Sequence, residues 1–189
     1  MKKLFTMALG MAFLVGVKAQ PKTILVNGSV AFASTTKGEK KDVGFGLLPA
    51  IGYQFDKHWT AGIQFDFEGG KQTTDGVKTS KNTGFGVAPY IRYTWPISSI
   101  FAIYLEGKSG FLNKKFEGLS PNEKRFFINV SPSVYMDIKN GFGLNLSFGG
   151  VEYNTMTPVG STLKTKRLLM DFGQGASFGI SKNFGTKKK

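Results

Sequence analysis

Large apolar residues alternate with small or polar residues along most of the chain, at the period of two that is typical of β-strands. In Val43–Phe55 the odd positions are mostly large and apolar, and the even positions are mostly small or polar. The segment repeats forty residues later: GFGLLPAIGYQF (Gly44–Phe55) and GFGVAPYIRYTW (Gly84–Trp95) share Gly, Phe, Gly, Pro, Ile and Tyr. A weaker third copy occurs at INVSPSVYMDI (Ile128–Ile138). The pattern therefore predicts a β-protein built from repeated units.

The alternation predicts eight strands, at Ile24–Ala33, Val43–Phe55, Trp59–Glu68, Thr83–Trp95, Ile100–Phe111, Arg125–Asp137, Phe142–Phe148 and Leu168–Phe184. Three connections are short: Asp56–His58, Pro96–Ser99 and Ile138–Gly141. The others are longer and rich in Lys, Thr, Gly and Asn: Thr35–Asp42, Gly69–Asn82, Leu112–Lys124 and Asn154–Lys166. Each repeat is thus two strands, one short turn and one long loop. We predict an all-β, eight-stranded, antiparallel up-and-down barrel.

The composition of the two faces indicates which one points outward. A soluble barrel of the lipocalin type would place the apolar face inside and polar residues outside. Here the second face is rich in glycine, alanine and serine, which suit the interior of a narrow barrel. Most strands also supply the roughly 9–11 residues that a tilted membrane strand needs. The sequence therefore predicts an outer-membrane barrel with its apolar face against lipid.

Aromatic residues lie next to the short turns, where a membrane barrel carries an aromatic girdle. The predicted girdle consists of Tyr53, Phe55, Trp59, Tyr93 and Trp95. The alternative is that these are ordinary aromatic residues of a soluble core.

The N-terminus has the features of a cleaved signal peptide. Lys2 and Lys3 precede the apolar run Leu4–Val17, and Val17 and Ala19 are small residues at positions −3 and −1 of a cleavage site. The run is shorter than the roughly 20 residues of a spanning helix, and a buried N-terminal helix is the alternative. We predict a signal peptide at residues 1–19, a barrel at 20–184 and a basic tail at 185–189. The chain has no cysteine, which excludes disulfides and an acylated-cysteine anchor.

Three prolines recur on the predicted lipid face of strands that run towards a short turn. Pro49, Pro89 and Pro132 cannot donate a ladder hydrogen bond, so each predicts a bulge or a local break in pairing. Their shared position in the repeat predicts that the three strands reach the same depth. Such interruptions would help a small barrel to bend sharply.

Eight charged residues fall on the predicted inner face. An unpaired charge in a narrow lumen is costly, so near-equal numbers of acids and bases predict a cross-barrel ion-pair network that plugs it. We expect Arg92 to pair with Glu106, because both lie at similar heights above the turn at Pro96–Ser99. The alternative is that several of these groups lie near the rims and face water. The set comprises Asp66, Glu68, Arg92, Glu106, Lys108, Arg125, Arg167 and Asp171.

Four segments resemble those of a known family: the P-x-[IV]-x-Y strands Pro49–Tyr53 and Pro89–Tyr93, the partial copy Pro132–Val134 and the closing strand SFGISKNF (Ser177–Phe184). It is the small outer-membrane β-barrel proteins of the OmpA/OmpX/OmpW-like type, common in Bacteroidota. The resemblance covers essentially all of the mature chain. It implies an outer-membrane location in a Gram-negative bacterium and assembly by the barrel-assembly machinery. It also implies that Phe184 is the terminal aromatic recognised by that machinery, although Gly185–Lys189 follows it here.

Catalysis finds little support in the sequence. Some barrels of this size modify lipid A with a histidine near the outer leaflet. The single histidine, His58, lies in a short turn, and short turns face the periplasm. A turn residue is therefore a better interpretation than a catalytic base. The chain has no cysteine, no second histidine and no glycine spacing typical of a phosphate-binding loop. We therefore predict no metal, no cofactor and no enzymatic activity.

The formal net charge is +13, and removal of Lys2, Lys3 and Lys18 with the signal peptide leaves +10. We expect the basic loops to lie among lipopolysaccharide phosphates, although a solvated loop surface is an equally good interpretation. Nucleic acid is not an expected partner in this compartment. The surplus lysines lie in the predicted loops and tail: Lys37, Lys40, Lys41, Lys71, Lys78, Lys81, Lys114, Lys115, Lys164, Lys166 and Lys187–Lys189.

The leading functional hypothesis is a non-enzymatic, monomeric outer-membrane barrel that supports the envelope, presents loops for adhesion, or both. A narrow channel for small solutes is the alternative. A general porin is excluded, because side chains just fill an eight-stranded interior. A lipid-modifying enzyme is the third hypothesis and lacks a recognisable catalytic dyad. The sequence identifies no extracellular ligand.

The first testable prediction concerns the leader. We expect the mature protein to begin at Gln20, because the cleavage-site pattern ends at Ala19. Mass spectrometry of the N-terminal peptide from membrane-extracted protein checks this. A membrane-extracted protein that retains Met1 contradicts it.

Overall fold

A computed structural model describes residues 22–118 and 122–185 of the protein. Each strand pairs with its neighbours in sequence, and β8 pairs with β1, so the sheet closes into an up-and-down barrel. The predicted fold class and the predicted number of strands are confirmed. The eight strands are β1 (Thr23–Lys37), β2 (Lys40–Gln54), β3 (Trp59–Thr74), β4 (Val77–Pro96), β5 (Phe101–Phe116), β6 (Glu123–Lys139), β7 (Phe142–Thr157) and β8 (Thr165–Phe184).

Some parts of the chain lie outside this description. They include the predicted signal peptide at residues 1–19, residues 119–121 of the predicted loop Leu112–Lys124 and residues 186–189 of the tail. Within the described ranges, no helix has the length and apolar character needed to cross a membrane.

The large apolar residues point outward and the small residues point into the barrel. On β2, Phe45, Leu47 and Ile51 are exposed, whereas Gly46 and Ala50 are buried. Large apolar residues are also exposed on the other strands, although Tyr90, Tyr104 and Phe127 are buried inside, so an apolar belt surrounds the molecule. Such a continuous apolar surface is stable against lipid and unstable in water.

The strands continue well beyond this belt on the side away from the short turns. The predicted loop Thr35–Asp42 is a hairpin, in which β1 and β2 are joined by Gly38 and Glu39 alone. Asp75 and Gly76 join β3 and β4 in the same way, with φ values of 53° and 75° that a two-residue hairpin turn requires. In these segments Lys, Thr and Asn occupy both faces. They therefore lack the alternation that marks a strand in lipid.

The length of the strands sets how far these hairpins extend. Strands of 15–20 residues, at about 3.4 Å per residue and a tilt of about 40°, span about 40–50 Å of height. The apolar band of an outer-membrane barrel is only about 25 Å tall. The hairpins therefore extend about 15 Å or more past the lipid.

A bulge explains why β7 is longer than its sequence pattern predicts. The pairing with β8 shifts between Ser147 and Gly149, and Gly149 has a φ of 92°. The bulge changes the parity of the strand, so that Glu152 and Asn154 face inward beyond it. A strict period-two pattern stops at Phe148, whereas the strand continues to Thr157.

The three recurring prolines interrupt the sheet at one height, and always on the same side of their strand. Pro49, Pro89 and Pro132 stay paired with the preceding strand. Pairing with the following strand is interrupted at residues 48–49, 88–89 and 131–132. The first two interruptions leave the register unchanged, whereas the third accompanies a register shift. The pairing within β1–β2, β3–β4 and β5–β6 is thus continuous at the prolines, whereas the pairing of each proline-bearing strand with the next strand is locally interrupted.

Glycine makes room for bulky side chains inside the narrow barrel. Gly52 and Gly62 are directly opposite each other on β2 and β3, and the Tyr90 side chain lies over both. A Cβ on Gly62 would lie 2.6 Å from Tyr90 Cζ and 2.7 Å from Gly52 Cα. The lumen can therefore hold Tyr90 only because these positions have no side chain.

The second prediction tests this packing. We expect Gly62→Ala to destabilise the barrel by about 1–3 kcal/mol, because the added methyl group overlaps Tyr90 and the neighbouring strand. Urea unfolding of vesicle-inserted protein, followed by the fluorescence of Trp59 and Trp95, measures the change.

Gly44→Ala is the matched control for this substitution. The nearest atom to a Cβ at Gly44 is the Gly69 carbonyl oxygen, 3.8 Å away, so we expect little change in stability. Equal unfolding midpoints for the two variants would contradict the steric role assigned to Gly62.

Candidate functional site in the charged lumen and the basic hairpins

An ion pair between β4 and β5 lies at the centre of the lumen. Arg92 and Glu106 are cross-strand partners, and Arg92 Nη2 and Nε both donate to Glu106 Oε2, at 2.7 and 3.1 Å. Arg92 is only 5% exposed and Glu106 only 8%. Two charges that are removed from water to this extent hold each other in place, because either one alone would be strongly destabilising.

Neighbouring groups complete the environment of Arg92. The Tyr104 ring lies beneath the guanidinium, and the distance from the ring centre to Arg92 Cζ is 4.0 Å. With the Asn27 amide turned so that both of its atoms find partners, its oxygen accepts from Arg92 Nη2 at 3.1 Å and its nitrogen donates to the Ala50 carbonyl oxygen at 3.3 Å. Arg92 therefore links β1, β4 and β5 across the barrel.

A second base extends the cluster towards β3. Lys108 Nζ lies 3.8 Å from Glu106 Oε1 and donates to Gln64 Oε1 at 3.3 Å. Gln64 in turn donates from Nε2 to Asp66 Oδ1 at 2.6 Å. Asp66 is thus connected to these groups by a hydrogen bond from the Gln64 amide and not by an ion pair with a basic side chain. We call Gln64, Asp66, Arg92, Glu106 and Lys108 the lumen cluster.

Two further ion pairs lie higher in the barrel. Lys114 Nζ is 3.4 Å from Glu68 Oε2, and Arg125 Nη2 is 3.3 Å from Glu152 Oε1. Asn154 also donates to Glu152, at 2.8 Å. These side chains are more accessible to water than Arg92 and Glu106, so each pair contributes less to stability.

Arg167 and Asp171 do not join these groups. Both side chains are exposed on β8, and within the described part of the chain neither forms an ion pair. Their parity places them on the inward side, but this part of β8 pairs with β7 alone and has no ladder partner on its β1 side. For these two residues, the alternative of water-facing groups fits the geometry better than a network.

Several partners in the lumen are absent from the sequence prediction. Gln64 and Tyr104 lie on the predicted inner face but carry no charge, so a search for ionisable residues omits them. Glu152 was missed because the bulge at Gly149 reverses the parity of β7. Lys114 lies in the predicted loop Leu112–Lys124, whose first five residues are in fact part of β5.

The short-turn end carries the predicted aromatic residues. Tyr93 packs edge-on against Trp59 and Trp95, with ring centres 4.7 and 4.6 Å away. Tyr53 and Phe55 are exposed on the same outer surface. This position is the one that an interfacial girdle requires.

His58 belongs to this turn structure. Its ring stacks on Tyr93 at 5.2 Å, and Nδ1 lies 2.8 Å from the Thr94 carbonyl oxygen. Hydrogen bonds from the backbone N–H groups of Trp59 and His58 lower the pKa of Asp56 below its ordinary value. These contacts make the turn rigid. In the described ranges, no group of His, Cys, Asp and Glu residues has the arrangement of a metal site.

The opposite end of the barrel is basic. Lys37 faces Lys40 across the β1–β2 hairpin, and Lys71 faces Lys81 across the β3–β4 hairpin. All four are exposed, and among the described residues none forms an ion pair. Like charges directly opposite each other destabilise a sheet, so this arrangement is costly unless an anion lies between them.

The third prediction concerns the central ion pair. We expect Glu106→Ala to lower the free energy of unfolding by about 3–5 kcal/mol, because it leaves the Arg92 guanidinium buried without its carboxylate. Urea melts measure the stability, and planar bilayers measure whether the loss opens the lumen to ions.

Glu68→Ala is the matched control, because it breaks the more accessible pair with Lys114. We expect it to cost about 1 kcal/mol or less. If Glu106→Ala retains both wild-type stability and wild-type conductance, the lumen cluster is not a plug.

Comparison with known proteins agrees with this architecture. The crystal structure of Neisserial surface protein A (NspA) superposes with a TM-score of 0.52 at 16% identity, covering 85% of this chain and 97% of that one. The outer membrane protein Ail of Yersinia pestis, solved in a phospholipid bilayer nanodisc, gives a TM-score of 0.38 at 13% identity, covering 87% and 100%. At these identities, the first likeness concerns the fold alone and the second adds no argument. No curated protein matches the sequence.

The family assignment comes from the sequence profile of the outer membrane protein β-barrel domain, which matches residues 5–184. The match spans almost the whole chain, including all eight strands. The chain therefore belongs to the outer membrane protein β-barrel domain family and is an integral protein of the outer membrane.

Proposed function

We propose that the protein is a non-enzymatic outer-membrane barrel that stabilises the cell surface by binding anionic groups with its basic hairpins. The phosphates of lipopolysaccharide are the expected partner. The observation that carries this proposal is the pairing of lysine with lysine on hairpins that extend past the lipid: Lys37 with Lys40 and Lys71 with Lys81.

Electrostatics favours an anion between these lysines. Each opposed pair concentrates two positive charges, and among the described residues neither pair has an ion-pair partner. A basic side chain close to an anionic membrane surface contributes about 1 kcal/mol of attraction. Phosphates at the outer surface would therefore remove the repulsion within each pair and fix the hairpins in place. An extracellular partner with regularly spaced anionic groups would be bound by the same surface, which is how an adhesive role would arise.

The lumen supports a structural role over transport. The Arg92–Glu106 pair and the side chains of Tyr90 and Tyr104 are buried inside the barrel. A hydrated ion would have to displace a buried, mutually bonded pair of charges. The narrow-channel alternative therefore requires a rearrangement of the lumen cluster, and a conductance measurement on the wild-type protein tests it.

The contacts of His58 argue against the enzymatic alternative. Its ring is stacked on Tyr93 and its Nδ1 lies against the Thr94 carbonyl oxygen, at the end of the barrel opposite to the basic hairpins. A lipid-modifying enzyme needs its histidine near the outer leaflet. His58 is thus better explained as part of the turn.

The remaining features fit assembly and anchoring of a monomer. Phe184 is exposed on the outer face at the end of β8, where the barrel-assembly machinery would recognise it. Trp59, Tyr93 and Trp95 would anchor the short-turn end at the inner interface. Secretion would depend on the predicted signal peptide.

The fourth prediction tests the anionic partner. We expect the double variant Lys37→Gln/Lys71→Gln to bind lipopolysaccharide roughly 30-fold more weakly than wild type, at about 1 kcal/mol for each lysine. Titration of fluorescent lipopolysaccharide against protein in a neutral detergent, at two salt concentrations, measures affinity and its screening. Dephosphorylated lipopolysaccharide should bind wild type more weakly than the intact form binds the variant, because it loses the attraction of all four opposed lysines.

Lys57→Gln/Lys139→Gln provides the matched control. It removes the same charge from the short-turn end, where no lipopolysaccharide is expected, and should leave the affinity unchanged. If both double variants lose affinity equally, net charge alone accounts for binding and the opposed lysines have no special role.

A further inference from the structure

The lumen is filled on one side and open on the other. On β4 and β5, inward residues above the lumen cluster, such as Ala88 and Leu112, are buried. On the outer parts of β1 and β8, Ala31, Ala33 and Ser177 are exposed, although their parity places them on the inward face. Their small side chains leave space that the large groups of β4 and β5 do not fill. A water-accessible crevice therefore runs along the inner surface of β1 and β8 from the hairpin end.

The crevice ends before the short turns. Thr23, Thr60 and Ser181 also lie on the inward face, but they are only 2%, 3% and 4% exposed. Packing of the described residues at this level shields all three from water. The crevice is therefore open towards the basic hairpins and closed towards the short turns.

A polar cavity of about 110 Å³ lies within this crevice, and a row of serines forms one of its walls. Ser133 on β6 is directly opposite Ser147 on β7, which is directly opposite Ser177 on β8. Cβ atoms of directly opposite residues are about 4.5–5.5 Å apart, so the three side chains are neighbours. Each hydroxyl can donate or accept a hydrogen bond. We call Ser133, Ser147 and Ser177 the serine row.

Asn145 provides a second, independent indication of a ligand. It lies two residues before Ser147 on the same face of β7, lines the same cavity and is only 7% exposed. Among the described residues, neither its Nδ2 nor its Oδ1 has a hydrogen-bond partner. Burial of an amide without partners is costly, so binding of a group that satisfies both atoms is favoured. The complementary group carries one acceptor and one donor side by side.

The charges around the cavity favour a neutral ligand. Arg92, Glu106 and Lys108 line it, and Gln64 links Lys108 to Asp66 by hydrogen bonds. The lumen cluster therefore contains two acids and two bases, and its formal charge is zero. An ion that entered the cavity would lose water without gaining an unmatched opposite charge.

We propose that this cavity binds a small, uncharged molecule that carries a carboxamide or urea group and enters from outside the cell. Its carbonyl oxygen would accept from Asn145 Nδ2, and its N–H would donate to Asn145 Oδ1. The serine row would bind its remaining polar atoms. The volume of 110 Å³ corresponds to roughly four water molecules at about 30 Å³ each, so the ligand is small. Because the crevice is closed below, the site would hold this molecule and not pass it on.

The fifth prediction compares three planar probes of the same size: acetamide, acetate and acetamidinium. We expect saturation-transfer NMR of the barrel in nanodiscs to show binding of acetamide. Acetate and acetamidinium should bind about tenfold more weakly or less, because each leaves one atom of Asn145 without a partner and brings an unmatched charge. Asn145→Leu should weaken acetamide binding by about the same factor. Asn129→Leu, the same change on the inward face of β6 outside the cavity lining, should leave it unchanged.

The stability of Asn145→Leu separates loss of binding from loss of folding. This variant lacks the partnerless amide, so it should unfold at the same or a higher guanidinium chloride concentration than wild type. Guanidinium is the denaturant here because urea is itself a candidate ligand. Equal binding of the three probes, or equal loss of acetamide binding in Asn145→Leu and Asn129→Leu, would overturn the proposal. So would an absence of acetamide binding to wild type, which would leave water as the sole occupant.

Cysteine labelling tests the route into the cavity. The chain has no cysteine, so Ser177→Cys and Ser181→Cys each introduce a single thiol, on the same face of β8 and four residues apart. A hydrophilic methanethiosulfonate reagent added outside intact cells should modify the thiol at position 177 in the folded barrel. It should modify the thiol at position 181 only after unfolding, because Ser181 is buried. Equal modification of the two folded variants, or modification of neither, would contradict a crevice that is open outside and closed below.

Discussion

Backbone hydrogen bonding in lipid is the constraint on which this structure depends. Every N–H and C=O group at that depth needs a partner, so the sheet must close on itself. With eight strands, closure leaves an interior that only side chains can fill. The glycines at Gly52 and Gly62, the buried Arg92–Glu106 pair and the Tyr90 ring are consequences of that narrow interior.

The sequence predicts the membrane-embedded part of the fold well, because lipid on one side and a crowded lumen on the other impose strict alternation. It predicts the basic hairpins poorly. Water surrounds both faces there, so Thr35–Asp42 has no period and resembles a loop, although it forms paired strand. In the lumen, parity predicts which residues face inward on β4 and β5, and adjacent register brings Arg92 beside Glu106. Parity fails beyond Gly149, where one bulge turns Glu152 inward, and it cannot show that Arg167 and Asp171 lie on a part of β8 that pairs with β7 alone.

Charge is handled differently in the two halves of the molecule. Inside the barrel, acids and bases are matched within short distances, and uncharged groups such as Gln64 connect them. On the basic hairpins, Lys37 faces Lys40 and Lys71 faces Lys81, and in the described ranges none of the four forms an ion pair. The matched interior stabilises one arrangement of the strands, whereas the unmatched exterior has free capacity for anions. The family supplies the scaffold, and the residues that differ between these two regions carry the proposed function of this chain.

The two-residue turns at Gly38–Glu39 and Asp75–Gly76 change what kind of surface the basic hairpins offer. A long mobile loop loses conformational entropy when it binds, and it adapts to almost any distribution of charge. A paired hairpin has already lost that entropy during folding, and the spacing between its lysines is set by the ladder. Such a surface distinguishes partners by the distance between their anionic groups as well as by their total charge. For the proposed anion binding, rigidity outside the membrane would thus add selectivity for the spacing of the bound charges.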